Sequence, residues 1–204
     1  MRRMISLLAV LGLVVGGCGA DDANRHIDAT QESLIQLPDD WNLYSNAEVA
    51  NPPFVHSSED VTFPLISQMA FAAGGLASAE AFSQPVAASA FPIGITTVRD
   101  IPLNVRDLVS RRVLSDVVLP YQGLPSQELV KKDFAFDEAW DGVEVAVMYT
   151  DPITSSDGAA YFISITDPGV TRHYSIAVGC SLDCFADNQD EIERVINSWL
   201  VNTR

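Results

Sequence analysis

Residue types that usually do chemistry are thinly spread along this chain of 204 residues. Its three histidines, His26, His56 and His173, fall in a polar lead-in, a polar loop and a turn edge, where each reads as a surface residue. A nucleophile elbow needs Gly-x-Ser-x-Gly to seat its serine on a strained turn, and Gly74-Gly75-Leu76-Ala77-Ser78 lacks that spacing. The sequence has no His-Glu-x-x-His, Ser-x-x-Lys, phosphate-binding loop or dinucleotide fingerprint. The acids offer more, because Asp133, Asp137, Glu138, Asp141 and Glu144 crowd one connection. Carboxylate oxygens so gathered could meet calcium, although an EF-hand sets its ligands at alternate positions around a central glycine. A solvated acidic loop is the plainer reading. Asp133, Asp137 and Asp141 stand as weak metal candidates, and no cofactor is expected.

The cysteines carry the clearest signal. Arg2 and Arg3 precede an apolar run from Ile5 to Val15, and Val15-Gly16-Gly17-Cys18 follows. Eleven apolar residues fall well short of the ~20 that cross a bilayer as a helix. The arrangement resembles a bacterial lipobox. That resemblance implies cleavage between Gly17 and Cys18 and a lipid on the Cys18 thiol. With Cys18 so assigned, Cys180 and Cys184 remain as a pair outside the cytoplasm, where a disulfide is expected. Closing so short a loop contributes only about 2 kcal/mol on a chain-entropy argument, so its expected role is to fix the turn from the last strand into a closing helix. A redox site would more usually read Cys-x-x-Cys, and zinc would need ligands that His173, beyond the preceding strand, does not supply.

Charge narrows the partners. Losing residues 1–17 removes two arginines and no acid, which lowers the net charge from −15 to −17. Each phosphate contact needs a Lys or Arg, so no nucleic-acid partner is expected, and membrane attachment falls to the lipid. Several acyl chains at about 0.8 kcal/mol per buried CH₂ hold a protein where one chain is marginal. The chain divides into a signal peptide over 1–17, a flexible acidic tether over 18–36 and one domain over 37–204.

Within that domain the stretch from Trp140 to Val201 organises the rest. Val143, Val145, Val147 and Tyr149 alternate with Glu144, Ala146 and Met148, the period of a strand with one buried face. Asp157-Gly158 and Asp167-Pro168-Gly169 predict turns to two further strands, and Asp141-Gly142 a tight turn before the first. Ile192, Val195, Ile196, Trp199 and Leu200 keep the spacing of one helical stripe, with Asp187 as its expected N-cap. Asn104 is expected to cap an earlier helix reaching Ser115. The nearly uncharged stretch from Leu65 to Gly94 reads as interior strand and turn, since Gly74-Gly75, Glu80 and Pro85 interrupt it.

Trp140-Asp141-Gly142-Val143-Glu144, then Ala160-Tyr161-Phe162-Ile163, then Ile192 to Trp199 with the ending Ser198-Trp199-Leu200-Val201, resembles the PsbP/Mog-type sandwich that actinobacterial lipoproteins of the LpqN kind share. The resemblance covers residues 100–201. It implies an α+β fold, an antiparallel β-sheet flanked by helices (αβα) with the C-terminal helix packed on the sheet. Members of that fold are mostly accessory proteins without a shared catalytic motif. The function expected is therefore a lipid-anchored, non-catalytic accessory or adaptor protein of the cell envelope, extracytoplasmic and bacterial, binding an envelope partner. The alternatives are a carrier of a lipid or small molecule, or an envelope hydrolase with an unusual site.

Overall fold

The computed structural model describes residues 24–45, 49, 53–54, 61–74, 82, 84–134 and 140–202. Strands β3 (Trp41–Tyr44), β4 (Leu65–Ala73), β5 (Ile93–Asp100), β6 (Ser126–Phe134), β7 (Asp141–Thr150), β8 (Asp157–Thr166) and β9 (Arg172–Ser181) form one antiparallel sheet in the order β3-β4-β5-β9-β8-β7-β6. Both faces of its centre are covered, so β7 to β9 read as nearly continuous apolar runs. One face turns Phe71, Ile163, Ile165, Ile176 and Val178 toward α2 (Leu182–Asp187) and α3 (Gln189–Ser198), whose Phe185, Ile192, Val195 and Ile196 meet them. The opposite face turns Ile95, Val143, Val145, Val147 and Phe162 toward Leu114, Val117 and Val118 of α1 (Arg111–Val118). Helix, sheet and helix make the αβα sandwich expected from the sequence, with the closing helix on the sheet.

The expected tether over 18–36 is corrected from residue 25 onward. β1 (Arg25–Ile27), β2 (Ser33–Gln36) and β10 (Leu200–Val201) form a second antiparallel sheet in the order β1-β2-β10, beside α3. Polar composition hid its anchors. Asp28 accepts from the amides of Thr30, Glu32 and Ser33 and so closes the turn between β1 and β2. Ile35 and Leu37 enter the main core, and Trp199 Nε1 donates to Ser33 Oγ at 2.9 Å. The signal peptide, Gly17 and Cys18 lie outside the described residues.

Local capping overrode several boundaries. The expected helix from Asn104 to Ser115 splits into a 3-10 segment, Leu103–Leu108, and α1, which Ser110 caps by accepting from Val113 N at 3.3 Å. Pro102 holds the residue ahead of the 3-10 segment extended, and Leu103 and Leu108 stay exposed. The closing helix starts earlier than Asp187, because Ser181 Oγ accepts from Cys184 N at 3.4 Å and opens α2. Asn188 then bridges to α3, its Nδ2 donating to Cys184 O at 2.8 Å.

Asp141-Gly142 is not a turn but the start of β7. A Cβ on Gly142 would stand 2.4 Å from Ile165 Cγ2 and 2.6 Å from Ser164 O, so this glycine serves close strand packing. Asp157-Gly158 likewise opens β8, and the turn before it is built on Asp151, which accepts from the amides of Ile153 and Thr154. The second face of β7 is also partly covered, with Ala146 buried beside the half-buried Glu144 and Met148. Residues 61–64 carry no strand and lead into β4.

Candidate functional site

Three groupings hold side chains capable of chemistry. The first is buried beneath α1. On the α1 face of the sheet, Thr97 and Ser175 share a hydrogen bond of 2.7 Å, and Arg99 stands directly across from His173 on the neighbouring strand. Ser164 Oγ lies 2.7 Å from His173 Nε2 and donates to Leu114 O at 2.7 Å. A hydroxyl has one proton, so Nε2 must be the donor to Ser164 and Nδ1 carries the lone pair. The expectation of a surface histidine at 173 is thereby corrected, since its side chain is fully buried. Burial, with the Arg99 charge adding to it, pushes the imidazole down to about 3. The sequence read His173 as a turn-edge residue; the signal that could have found it is the matching polar pattern of Ser164, Thr166 and Ser175 on one face.

A serine bonded to a histidine has the outline of a nucleophile and its base. Here both partners are sealed under α1, the hydroxyl proton is already given to a backbone carbonyl, and Arg99, not a carboxylate, is the nearest charge. The pair ties α1 to the sheet.

The second grouping is the acidic connection. Arg111, at the start of α1, reaches Asp133 Oδ2 at 2.6 Å and Asp141 Oδ1 at 3.0 Å. A guanidinium stands where a calcium ion would have to, so Asp133 and Asp141 are not brought together as metal ligands. Asp137 and Glu138 lie outside the described residues. Among the described residues no cluster of three or more His, Cys, Asp or Glu side chains is placed to hold a metal. Glu144 points away from the others, to the opposite face of β7.

Glu144 belongs to the third grouping, a cleft of about 520 Å³. It exists because the two layers of helices are offset. α1 lies over β7 and β8, whereas α2 and α3 lie over β8 and β9, so on their side the β6–β7 end of the sheet is left open. Ala146, Met148, Leu182 and Phe185 form the apolar floor, and Lys132, Gln189, Glu193 and Asn197 the polar rim. Glu144 Oε1 accepts from Tyr161 Oη at 2.6 Å and from Lys132 Nζ at 3.3 Å. Desolvation, reinforced by the Glu144 carboxylate, raises the Tyr161 phenol well above its ordinary value and keeps it a donor. Among the described residues the lining holds no Ser, Thr, Cys or His; it is suited to binding an amphiphilic molecule by an apolar body and a polar head. Nothing singled out this cleft in the sequence, because the helices' offset is a tertiary property. Its polar handle was visible only as one acid in the Glu144, Ala146, Met148 alternation.

Cys180 and Cys184 are joined by a disulfide, with Cα atoms 5.9 Å apart, as expected from the sequence. It links the end of β9 to the first turn of α2, with Phe185 packed beside it in the core.

No family model matches the chain, and no curated protein matches it. Solved structures do. The chain is similar to cyanobacterial PsbP from Synechocystis sp. PCC 6803, at TM-score 0.48 and 12% identity over 92% of this chain and 99% of that one. It is similar to LpqN of Mycobacterium tuberculosis, described as involved in cell envelope biogenesis, at TM-score 0.48 and 10% identity over 84% of this chain and 83% of that one. A Pseudomonas aeruginosa protein of unknown function aligns at TM-score 0.38 and 10% identity over 84% and 92% of the two chains. Both kinds of protein that the sequence resembles are among these structures, and the α+β sandwich itself rests on the strands and helices described above.

Proposed function

We propose that the chain is a lipid-anchored accessory protein on the extracytoplasmic side of a bacterial cell envelope, which binds a partner and performs no chemistry of its own. The observation that carries this reading is the disposition of the three cysteines. Cys180 and Cys184 bond each other, so Cys18 is the one cysteine outside the disulfide, and it stands in the lipobox-like sequence Val15-Gly16-Gly17-Cys18. A disulfide also fits an oxidising compartment. Among the described residues no helix is long and apolar enough to cross a membrane. The same envelope setting is named for LpqN, whose fold is similar.

The absence of catalysis is argued from the sites. Ser164 and His173 are closed to any substrate, and in the open cleft the Glu144 carboxylate is held by Tyr161 and Lys132. That cleft favours a second reading, carriage of a small amphiphile, for which about 520 Å³ falls within the usual range of ligand sites. Cross-linking the protein in its own membranes and isolating it distinguishes the two. A stoichiometric protein partner supports the adaptor, and a monomer with a co-purified amphiphile supports the carrier. Turnover of an ester or glycoside substrate, abolished by a cleft substitution, would refute both.

A further inference from the structure

Among the described residues no element packs over the outer face of the small sheet. Ile27 pairs across β1–β2 with Leu34, and Leu34 pairs across β2–β10 with Leu200, so the three side chains form one row on one face. Their neighbours Ser33 and Ile35 point inward and are buried, whereas Ile27 is 55% and Leu200 51% exposed. Three aligned apolar side chains on the surface of so acidic a chain ask for an apolar partner.

Charge at this end of the molecule is also unusual. Elsewhere most described cations outside the core sit in ion pairs: Arg111 with Asp133 and Asp141, Arg112 with Asp116, Lys131 with Glu128, Lys132 with Glu144 and Arg172 with Asp100, while the half-buried Arg106 donates to Ile101 O. Arg25 and Arg194 are exposed and make no ion pair with a described residue. Arg25 lies two residues from Ile27 and pairs with Gln36 across the sheet, and Arg194 lines a groove with Asn24 and Gln36. Asp39 lines the same groove and accepts from Asn24, Glu32 is held by Tyr174 and Arg172, and Asp190, Glu191 and Glu193 share α3 with Arg194.

Chain length says what faces this surface. Six residues, Gly19 to Asn24, separate Cys18 from the first residue of β1. Fully extended they span no more than about 25 Å. Resting on the lipid-anchored reading, we infer that the outer face of β1-β2-β10 lies on the membrane that holds the Cys18 lipid. Ile27, Leu34 and Leu200 enter the headgroup boundary, and Arg25 and Arg194 meet the phosphates of anionic lipids. The lipid supplies attachment, and this face fixes the orientation of the domain.

The test uses the lipidated protein in vesicles of phosphatidylglycerol and phosphatidylcholine, with a diazirine analogue of leucine replacing Leu34 or Leu200. Controls carry it at Leu103 in the 3-10 segment or Ile153 in the β7–β8 turn, which are 79% and 87% exposed and belong to neither the small sheet nor α3. Irradiation is expected to give at least tenfold more lipid adduct at Leu34 and Leu200 than at the controls. Arg25→Glu with Arg194→Glu should lower that yield severalfold in phosphatidylglycerol vesicles and leave it unchanged in pure phosphatidylcholine. Equal yields at all four positions, in a protein whose mass shows the lipid, overturn the orientation alone. A protein without lipid on Cys18 overturns the anchor and the orientation together. Near-ultraviolet circular dichroism matching the unmodified protein shows that a labelled variant is folded.

Discussion

Ser164 Oγ and His173 Nε2 are 2.7 Å apart with both side chains fully buried, and the serine's own proton goes to Leu114 O of α1. A pair that elsewhere would suggest hydrolysis is here the polar seam between helix and sheet. Ser164→Ala leaves the buried histidine N–H unpartnered and removes the added hydrogen bond to Leu114 O, so we expect a loss of about 1–3 kcal/mol in urea denaturation. Binding at the cleft, on the other face, should not change.

Acid should act through His173. Its folded value is about 3 and its unfolded value 6.5, so the unfolded chain binds the proton first. The stability contributed is fully present above pH 6.5 and is lost as pH falls toward about 3, at up to about 1.4 kcal/mol per pH unit. Denaturation curves at pH 7, 6 and 5 should show that slope, and His173→Gln should flatten it whatever its effect at pH 7. His26, whose value burial also lowers, adds a smaller share in the same window, and Asp28 acts only nearer pH 4.

Reduction of Cys180–Cys184 should cost about 2 kcal/mol and leave the sheet intact. Ser181 still caps α2 and Phe185 still packs, so amide exchange should quicken in α2 more than in α3 or β9. Thiol titration of the unreduced protein carrying Cys18→Ala should find no free cysteine.

Gly142→Ala is expected to destabilise by several kcal/mol, since the methyl would overlap Ile165 and the Ser164 carbonyl. Arg111→Ala, which removes an exposed bridge to Asp133 and Asp141, should change stability by under about 1 kcal/mol. Added calcium should not alter melting of the wild-type protein if the arginine holds both carboxylates.

How much of this was legible in the sequence depended on whether the signal was local. The strands of β7 to β9 and the stripe Ile192-Val195-Ile196 were read correctly because period two and period 3.6 record which side faces a core, whereas Trp199 and Leu200, expected on that stripe, follow the helix end, with Leu200 exposed in β10. Asp141-Gly142 misled because the same dipeptide serves a turn and a close strand contact. Residues 25–36 looked like a tether because the turn that makes them a hairpin rests on one carboxylate, Asp28, and their burial on Trp199, at the far end of the chain. Leu65–Ala73 has little periodicity since both its faces are covered along most of its length. The cleft was not legible at all, being the gap between α3 and the open end of the sheet.

The central claim is that a lipid on Cys18 holds this domain at the envelope, and the most direct measurement is mass spectrometry of the protein recovered from membranes of a bacterial host, beside Cys18→Ala. The account predicts a mature chain beginning at Cys18 with a diacylglyceryl mass on that residue, and Cys18→Ala lost from the membrane fraction. An unmodified Cys18 in a protein that still pellets with membranes, or a Cys18→Ala form that stays there, would contradict it.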